Sequence, residues 1–444
     1  MFAWIVTHTP LLYFIQSLWR DEAFSILAAE KPLRQILPKL SFEPPVYYTL
    51  LHFWIKIFGE SEIAARSLSF LAFSLAIVVI IFWSEKLFKK HWLSWFLPLS
   101  FFLNPMLIYY AFEIRTYGWY VFFAVLSMYS YLEKRWILYV IAGVLGFYTH
   151  SYFGIVIFVE VLHWLIFHKK ILLSRQLFKE HIFRATIVIG LLILPWLVKI
   201  AAQLSILKNS WYFPVNLNLV KSVLGNMFLG YEGTPWYLWA DTQVLSLILL
   251  VFFVVALLPT RTRVRNAFFF LMATMPLVVV IGISFFKPLF VNRYLIGVTV
   301  AEVILLAMSI EAIGKPLYQK IIGGGVLIFL IAFNVWYPWQ HRKLDIRATV
   351  YEINAVKDKN DLYLVDNPLV FFETLYYASD RSKVYLYNPN HSPFPWYVGN
   401  AVFDKSKMTD QIPFYPHKAF MIHSDGTYTV IYQMPVAQIV KRQK

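Results

Sequence analysis

The 444 residues are 59% hydrophobic and 15% charged, with a mean hydropathy of +0.58, whereas a soluble domain carries about 25% charged residues. That balance excludes an ordinary water-soluble enzyme and indicates a polytopic membrane protein. The formal net charge of +15, with no nucleic-acid motif beside it, fits contact with anionic lipid, and the absence of cysteine excludes disulfides, thiolate catalysis and Cys-ligated zinc.

A membrane-crossing helix needs about 20 mostly apolar residues. Eleven stretches qualify, near 1–18, 63–83, 93–111, 117–133, 136–150, 152–168, 183–200, 242–259, 267–286, 292–310 and 321–338. The first lacks the basic start and small-residue cleavage site of a signal peptide and is read as a short span, irregular at His8, Thr9 and Pro10. Basic residues then set the orientation. Lys86, Lys89 and Lys90; Lys134 and Arg135; Lys169, Lys170, Arg175, Lys179 and Arg184; Arg261, Arg263 and Arg265; and Lys315 and Lys320 fall in alternate loops. These belong in the cytoplasm by the positive-inside rule. The opposite loops, at 19–62, 112–116, 150–151, 201–241, 287–291 and after about 340, are long or nearly free of Lys and Arg and face outward. No internal repeat or inverted symmetry of the kind many transporters carry is present.

After Trp339 the chain becomes polar enough to fold in water. A helix near 346–357, a strand at 361–366, the helix FFETLYYA, a strand at 383–388 and a hairpin of 418–424 with 428–434 around Asp425-Gly426 are predicted. The expected architecture is an all-α polytopic membrane domain, 1–339, followed by a small extracytoplasmic α/β domain, 340–444.

The first long polar interruption, 19–62, concentrates carboxylates, and Asp21 and Glu22 open it. Charges beside hydrocarbon are costly unless they face a cavity or water, which makes such a pair a functional candidate. Next in this loop comes EPPVYY, Glu43 to Tyr48, whose prolines fix an extended lead into an amphipathic helix ending at Gly59, suited to the interface plane. Further loops bring Glu113 and Arg115, His150, and Arg293 with Tyr294 to the same outer face. Each has a plainer reading. Asp21 and Glu22 complement a helix dipole, Glu113 and Arg115 form a structural ion pair, His150 is a hydrogen-bonded interfacial histidine, and Arg66 snorkels. Glu160 and Glu302 satisfy interhelical hydrogen bonds. Convergence of five loops on one face favours the functional reading for the outward set.

LWRDEAFS, then EPPVYYTLLHFWIKIFGESEIAARSLS, P-x4-YY-x2-E-x-R-x-Y, YTH and RY together resemble the GT-C glycosyltransferases of the protein-mannosyltransferase and lipid A aminoarabinose-transferase group, over about Trp19 to Tyr294. The resemblance implies a sugar donor carried on a polyprenyl phosphate and an active site on the extracytoplasmic side of the cytoplasmic membrane. It also implies an inverting displacement, with a glycolipid, polysaccharide or protein hydroxyl as acceptor. Chemistry distributes the roles: a carboxylate takes the acceptor's proton, for which Asp21 is the choice, with Glu22 and Glu113 orienting acceptor or base. Arg115 and Arg293 balance the leaving phosphate. Glu43, Tyr47, Tyr117, His150 and Tyr294 are the expected substrate-binding residues. The acidic oxygens are able to hold a divalent cation, but no metal is assigned. The competing reading is a transporter or flippase of lipid-linked substrates, since intramembrane charges also mark substrate paths; a third is a scaffold whose outer domain binds a partner.

Overall fold

The structure is a computed structural model that describes residues 2–40, 43–168, 179–203, 215–230, 238–399 and 401–435. The chain divides into two compact units, residues 1–14 with 40–341 and residues 15–39 with 342–444. Residues 15–39, which take in half of the 19–62 loop, thus pack with the C-terminal part of the chain rather than with the helices that follow them.

The first unit is helical, and the protein is a multi-pass integral membrane protein. Among the described residues six helices are long and apolar enough to cross a membrane: Glu62–Leu87, His181–Gln203, Trp239–Ala256, Arg263–Ser284, Asn292–Ala312 and Pro316–Gln340. A seventh crossing is formed if His91–Phe102 and Pro105–Ala111, bent by 56° at their junction, count as one. The bend follows from sequence: Pro105 lacks the amide that would continue the helix, and Asn104 caps a new one by accepting the Leu107 N–H at 3.1 Å. Three further expected spans coincide with helices of only 16, 12 and 15 residues, Tyr117–Leu132, Trp136–Phe147 and Phe153–Phe167. The first expected span is no continuous helix but two short ones, Phe2–Thr7 and Leu11–Ile15, interrupted around Pro10. Of the basic loop residues used for orientation, Lys169, Lys170 and Arg175 lie outside the described residues, as do 204–214 and 231–237 of the 201–241 loop.

Ile296–Ala312 runs through the centre of this unit with nearly every residue buried. Pro45–Phe58 is amphipathic as expected: Tyr47, Tyr48, Leu51, His52 and Ile55 face inward while Phe53, Ile57 and Phe58 are exposed. Gly59, at φ +84°, takes the left-handed turn that ends it. Arg66 does not snorkel. It is fully buried and donates to the Phe14 carbonyl at 3.1 Å, because a guanidinium away from water needs acceptors inside the protein. Glu160 accepts from Ser127 Oγ of a neighbouring helix at 2.8 Å, as anticipated. Glu302, fully buried, has no hydrogen-bond partner at either carboxylate oxygen among the described residues, contrary to expectation.

The second unit is a five-stranded sheet in the order β3-β2-β1-β4-β5, with β1 Leu362–Val365, β2 Val384–Tyr387, β3 Met408–Thr409, β4 Ala419–Ile422 and β5 Tyr428–Ile431. All neighbours are parallel except β4 and β5, which pair as the predicted hairpin with Ala419 opposite Ile431. Phe371–Tyr377 forms the helical part of the connection from β1 to β2, as parallel pairing demands. The N-terminal segment is tied into this unit at several points. Leu18 N–H donates to Tyr377 Oη at 2.7 Å, Gln16 Oε1 accepts the Lys343 N–H at 3.0 Å, and Glu30 pairs with Arg381 at 2.7 Å.

Candidate active site

A cluster of candidate residues in the first unit is built by four turns. Glu43 stands just before Pro44-Pro45, and Tyr48 follows in the first turn of the helix they start. Arg115 Nη2 meets Glu43 Oε1 at 2.7 Å and its Nη1 donates to Tyr48 Oη at 3.3 Å, while Tyr48 Oη donates to Glu43 Oε2. The result is a closed triangle that fixes the guanidinium plane. Behind it, Ser69 Oγ donates to the Arg115 carbonyl at 3.3 Å, and Val46 N–H donates to the Tyr148 carbonyl at 3.0 Å, joining the proline turn to the turn that carries His150.

His150 sits among aromatic rings: Tyr120 stacks on it at 5.4 Å, and Tyr294, Tyr152 and Tyr117 lie at 4.9, 5.6 and 5.9 Å. Its Nδ1 is within 3.3 Å of the Tyr152 backbone N–H, so this nitrogen accepts and a neutral ring carries its proton on Nε2. Burial, reinforced by the positive charges of Arg115 and Arg293, pushes the imidazole pKa down to about 3. Arg293, in the 3-10 turn Asn292–Leu295, is buried and donates from Nε to Tyr117 Oη at 2.8 Å, with its guanidinium 5.6 Å from the centre of the Tyr294 ring.

These groups end a cavity of about 430 Å³. Its polar end is lined by Glu43, Arg115, Tyr117, His150, Ser151 and Tyr294; Ser151 Oγ is buried with no hydrogen-bond partner among the described residues. The remaining wall is mostly apolar, with Leu197 and Ile200 from one long helix and Val279, Val280 and Ile283 from another. A cavity with a charged head and a hydrocarbon body suits an amphiphile whose head is anionic and hydroxylated.

Of the sequence-predicted residues, Glu43, Arg115, Tyr117, His150 and Tyr294 line this cavity together. Arg293 stands one layer back, behind Tyr117. Tyr47 is fully buried and packs edge-on against Tyr48 at 5.7 Å, away from the lining. Glu113 is buried, two residues before Arg115, and its backbone carbonyl accepts the Arg115 N–H at 2.8 Å. The close ion pair of the Arg115 guanidinium reaches 72 residues back, to Glu43. Tyr48, Tyr152 and Ser151 escape the sequence reading although they sit inside EPPVYY and YTHSYF; the available signal is the concentration of hydroxyls around Glu43 and His150.

Asp21 and Glu22 belong to the second unit, in the first turn of Arg20–Glu30. Asp21 pairs with Arg20 Nε at 2.8 Å. Glu22 is fully buried, takes Lys343 Nζ at 2.9 Å and accepts the Trp19 N–H at 3.4 Å, with the same ammonium 5.6 Å from the Trp19 ring centre. Among the described residues no three His, Asp or Glu side chains converge as metal ligands would.

The chain matches no family model and no curated protein. Among solved structures it is similar to the crystal structure of ArnT from Cupriavidus metallidurans in the apo state, with a TM-score of 0.61 at 13% identity over 95% of this chain and 91% of that one. The chain has the GT-C fold of ArnT. ArnT from the same organism bound to undecaprenyl phosphate aligns over the same shares with a TM-score of 0.59 at 12% identity. At such identity ArnT establishes how the helices are arranged and leaves the chemistry to be argued from the residues present.

Proposed function

We propose that the protein is a membrane glycosyltransferase that moves a sugar from a polyprenyl-phosphate donor to a hydroxyl acceptor on the extracytoplasmic face. The observation that carries this reading is the cavity with an apolar body and an end fixed by Arg115, in a chain with the fold of ArnT, one structure of which holds undecaprenyl phosphate. The prenyl chain takes the apolar wall. Arg115, clamped by Glu43 and Tyr48, meets the phosphate, and Arg293 acts from behind Tyr117 to hold the region positive.

In the reaction the acceptor oxygen attacks the anomeric carbon and the bond from that carbon to the phosphate oxygen breaks. Its electron pair leaves with the prenyl phosphate, and inversion follows from single displacement. Neutral His150, Tyr117 and Tyr294 offer hydrogen bonds and ring faces to the sugar, with Tyr47 shaping the wall from behind and Glu113 supporting the Arg115 turn. The acceptor's proton goes to a carboxylate, for which we propose Asp21, with Glu22 anchoring the same helix through Lys343. The excess of basic residues on the opposite loops supports the orientation, and no metal is assigned a part.

Purified protein given a labelled polyprenyl-phosphate sugar and an envelope acceptor extract tests this. Transfer lost in Asp21→Asn, with donor binding kept, and donor binding lost in Arg115→Met are the expected outcomes. Transfer that survives Asp21→Asn removes the base assignment; lipid movement without any sugar transfer removes the enzyme reading in favour of a flippase.

A further inference from the structure

Among the described residues that line the cavity of the first unit, Glu43 and Arg115 are the two that carry charge, since His150 is held neutral. The Glu43 carboxylate is fixed at both oxygens: Oε1 meets Arg115 Nη2 at 2.7 Å, and Oε2 accepts from Tyr48 Oη. Its backbone is constrained as well, because Pro44 and Pro45 follow and a residue before proline keeps to extended conformations. The side chain is 32% exposed, so the charge is open to the cavity rather than sealed behind it. Holding a guanidinium does not in itself call for a charge, for an amide oxygen accepts from arginine too. A negative charge at this place has a second effect.

A phosphate that reaches Arg115 arrives beside a fixed carboxylate, and the two lipid phosphates of the reaction differ in how they meet it. In the donor the phosphorus bears both a sugar ester and a prenyl ester, so it carries one negative charge. When the bond from the anomeric carbon to oxygen breaks, the electron pair stays on that oxygen and a prenyl monoester is left. Its second ionisation lies near pH 6, which gives it a charge of about −1.5 to −2 at pH 7. One negative charge is met by Arg115, with Arg293 behind Tyr117. The added charge of the product faces Glu43, and like charges set side by side select against the ligand that brings them.

We propose that Glu43 is a specificity-determining residue that makes the cavity keep a phosphodiester and reject a phosphomonoester. The donor is thereby retained and the prenyl phosphate left by transfer is expelled. The residue that orients Arg115 also sets the release of product, a step that limits turnover in many enzymes. This inference rests on the reading of the cavity as the donor site.

The test is the binding of two short probes, farnesyl phosphate and its methyl diester, to the full-length protein in detergent at pH 8. The wild type is expected to bind the diester more tightly than the monoester. Glu43→Gln keeps the shape and removes the charge; in it the monoester is expected to gain about tenfold in affinity and the diester less than about threefold. Glu43→Asp, which keeps the charge, is expected to keep the preference for the diester. In the transfer assay, prenyl phosphate is expected to inhibit Glu43→Gln at about tenfold lower concentration than wild type. Loss of a merely structural clamp would weaken both probes alike. Should Glu43→Gln fail to fold, Glu43→Ala carries the same expectation of a monoester gain relative to the diester. Probes that shift together in these variants, or a wild type that binds the monoester more tightly, overturn the role of Glu43 while leaving the donor site standing. A wild type that binds neither probe overturns both.

Discussion

Gly118 is the position where the fold and the candidate site are most tightly coupled. It opens Tyr117–Leu132 where that helix passes Glu62–Leu87, and a Cβ built there meets the Ser69 backbone carbonyl oxygen at 2.7 Å, short of ordinary contact at 3.4 Å. The obstacle is backbone inside a 26-residue helix, so no side chain is able to swing aside. Gly118→Ala therefore has to part the two helices by about 0.7 Å, and overpacking of this kind costs about 1–3 kcal/mol. Ser69 also holds the Arg115 carbonyl, so the same shift displaces the guanidinium. A misplacement of about 1 Å is worth about 10²-fold in rate, and a shift of this size with partial relaxation about tenfold. The assay is denaturant unfolding in detergent alongside steady-state transfer, with Gly190→Ala as control. A Cβ placed on Gly190 meets nothing within 4 Å, and alanine there gains helix propensity of up to about 1 kcal/mol. If Gly118→Ala unfolds within about 0.5 kcal/mol of wild type and transfers within twofold, the close approach does not hold Arg115 and the reasoning fails.

Lys343→Met strands the fully buried Glu22 carboxylate, and breaking a buried pair costs about 3–5 kcal/mol. The double variant Glu22→Gln with Lys343→Met is expected to recover most of that loss in unfolding midpoints; full additivity of the two changes refutes the pair. His150 makes a pH prediction with a definite sign. Its folded pKa of about 3 lies below the unfolded value of 6.5, so the native state binds fewer protons between them. The stability it contributes is complete above pH 6.5 and is lost as pH falls toward 3, by at most about 1.4 kcal/mol per pH unit, relative to His150→Asn. An equal pH dependence of unfolding in the two proteins contradicts the buried neutral imidazole.

Helices are the most legible part of the chain, because apolar runs between basic loops announce themselves whatever they pack against. Their lengths are less so. Tyr117–Leu132, Trp136–Phe147 and Phe153–Phe167 are cut short by turns at Thr116, Lys134 and the 148–152 segment, which the hydropathy pattern smooths over. The cavity residues are legible for a related reason: a charge or His in an apolar sequence is conspicuous, so Glu43, Arg115 and His150 stand out. Tyr48 and Tyr152 do not, since tyrosine is ordinary at a membrane interface and only its hydrogen bonds to Glu43 and to the Leu289 carbonyl distinguish it here.

Partnership is the hidden quantity. Asp21 and Glu22 are adjacent in sequence and carry the same charge, yet side chains 100° apart on a helix meet different neighbours. Glu22 turns inward to Lys343, 321 residues away, while Asp21 stays on Arg20. The cost of an unpaired buried charge demands a partner for each. Nothing in the dipeptide says which, because the choice is made by the residue each meets across the fold. Arg115 obeys the same rule: its guanidinium is clamped by Glu43, remote in sequence, whose side chain the proline pair delivers to Arg115 and Tyr48 together. In a chain this apolar, each charge is therefore informative about function only together with the partner that neutralises it.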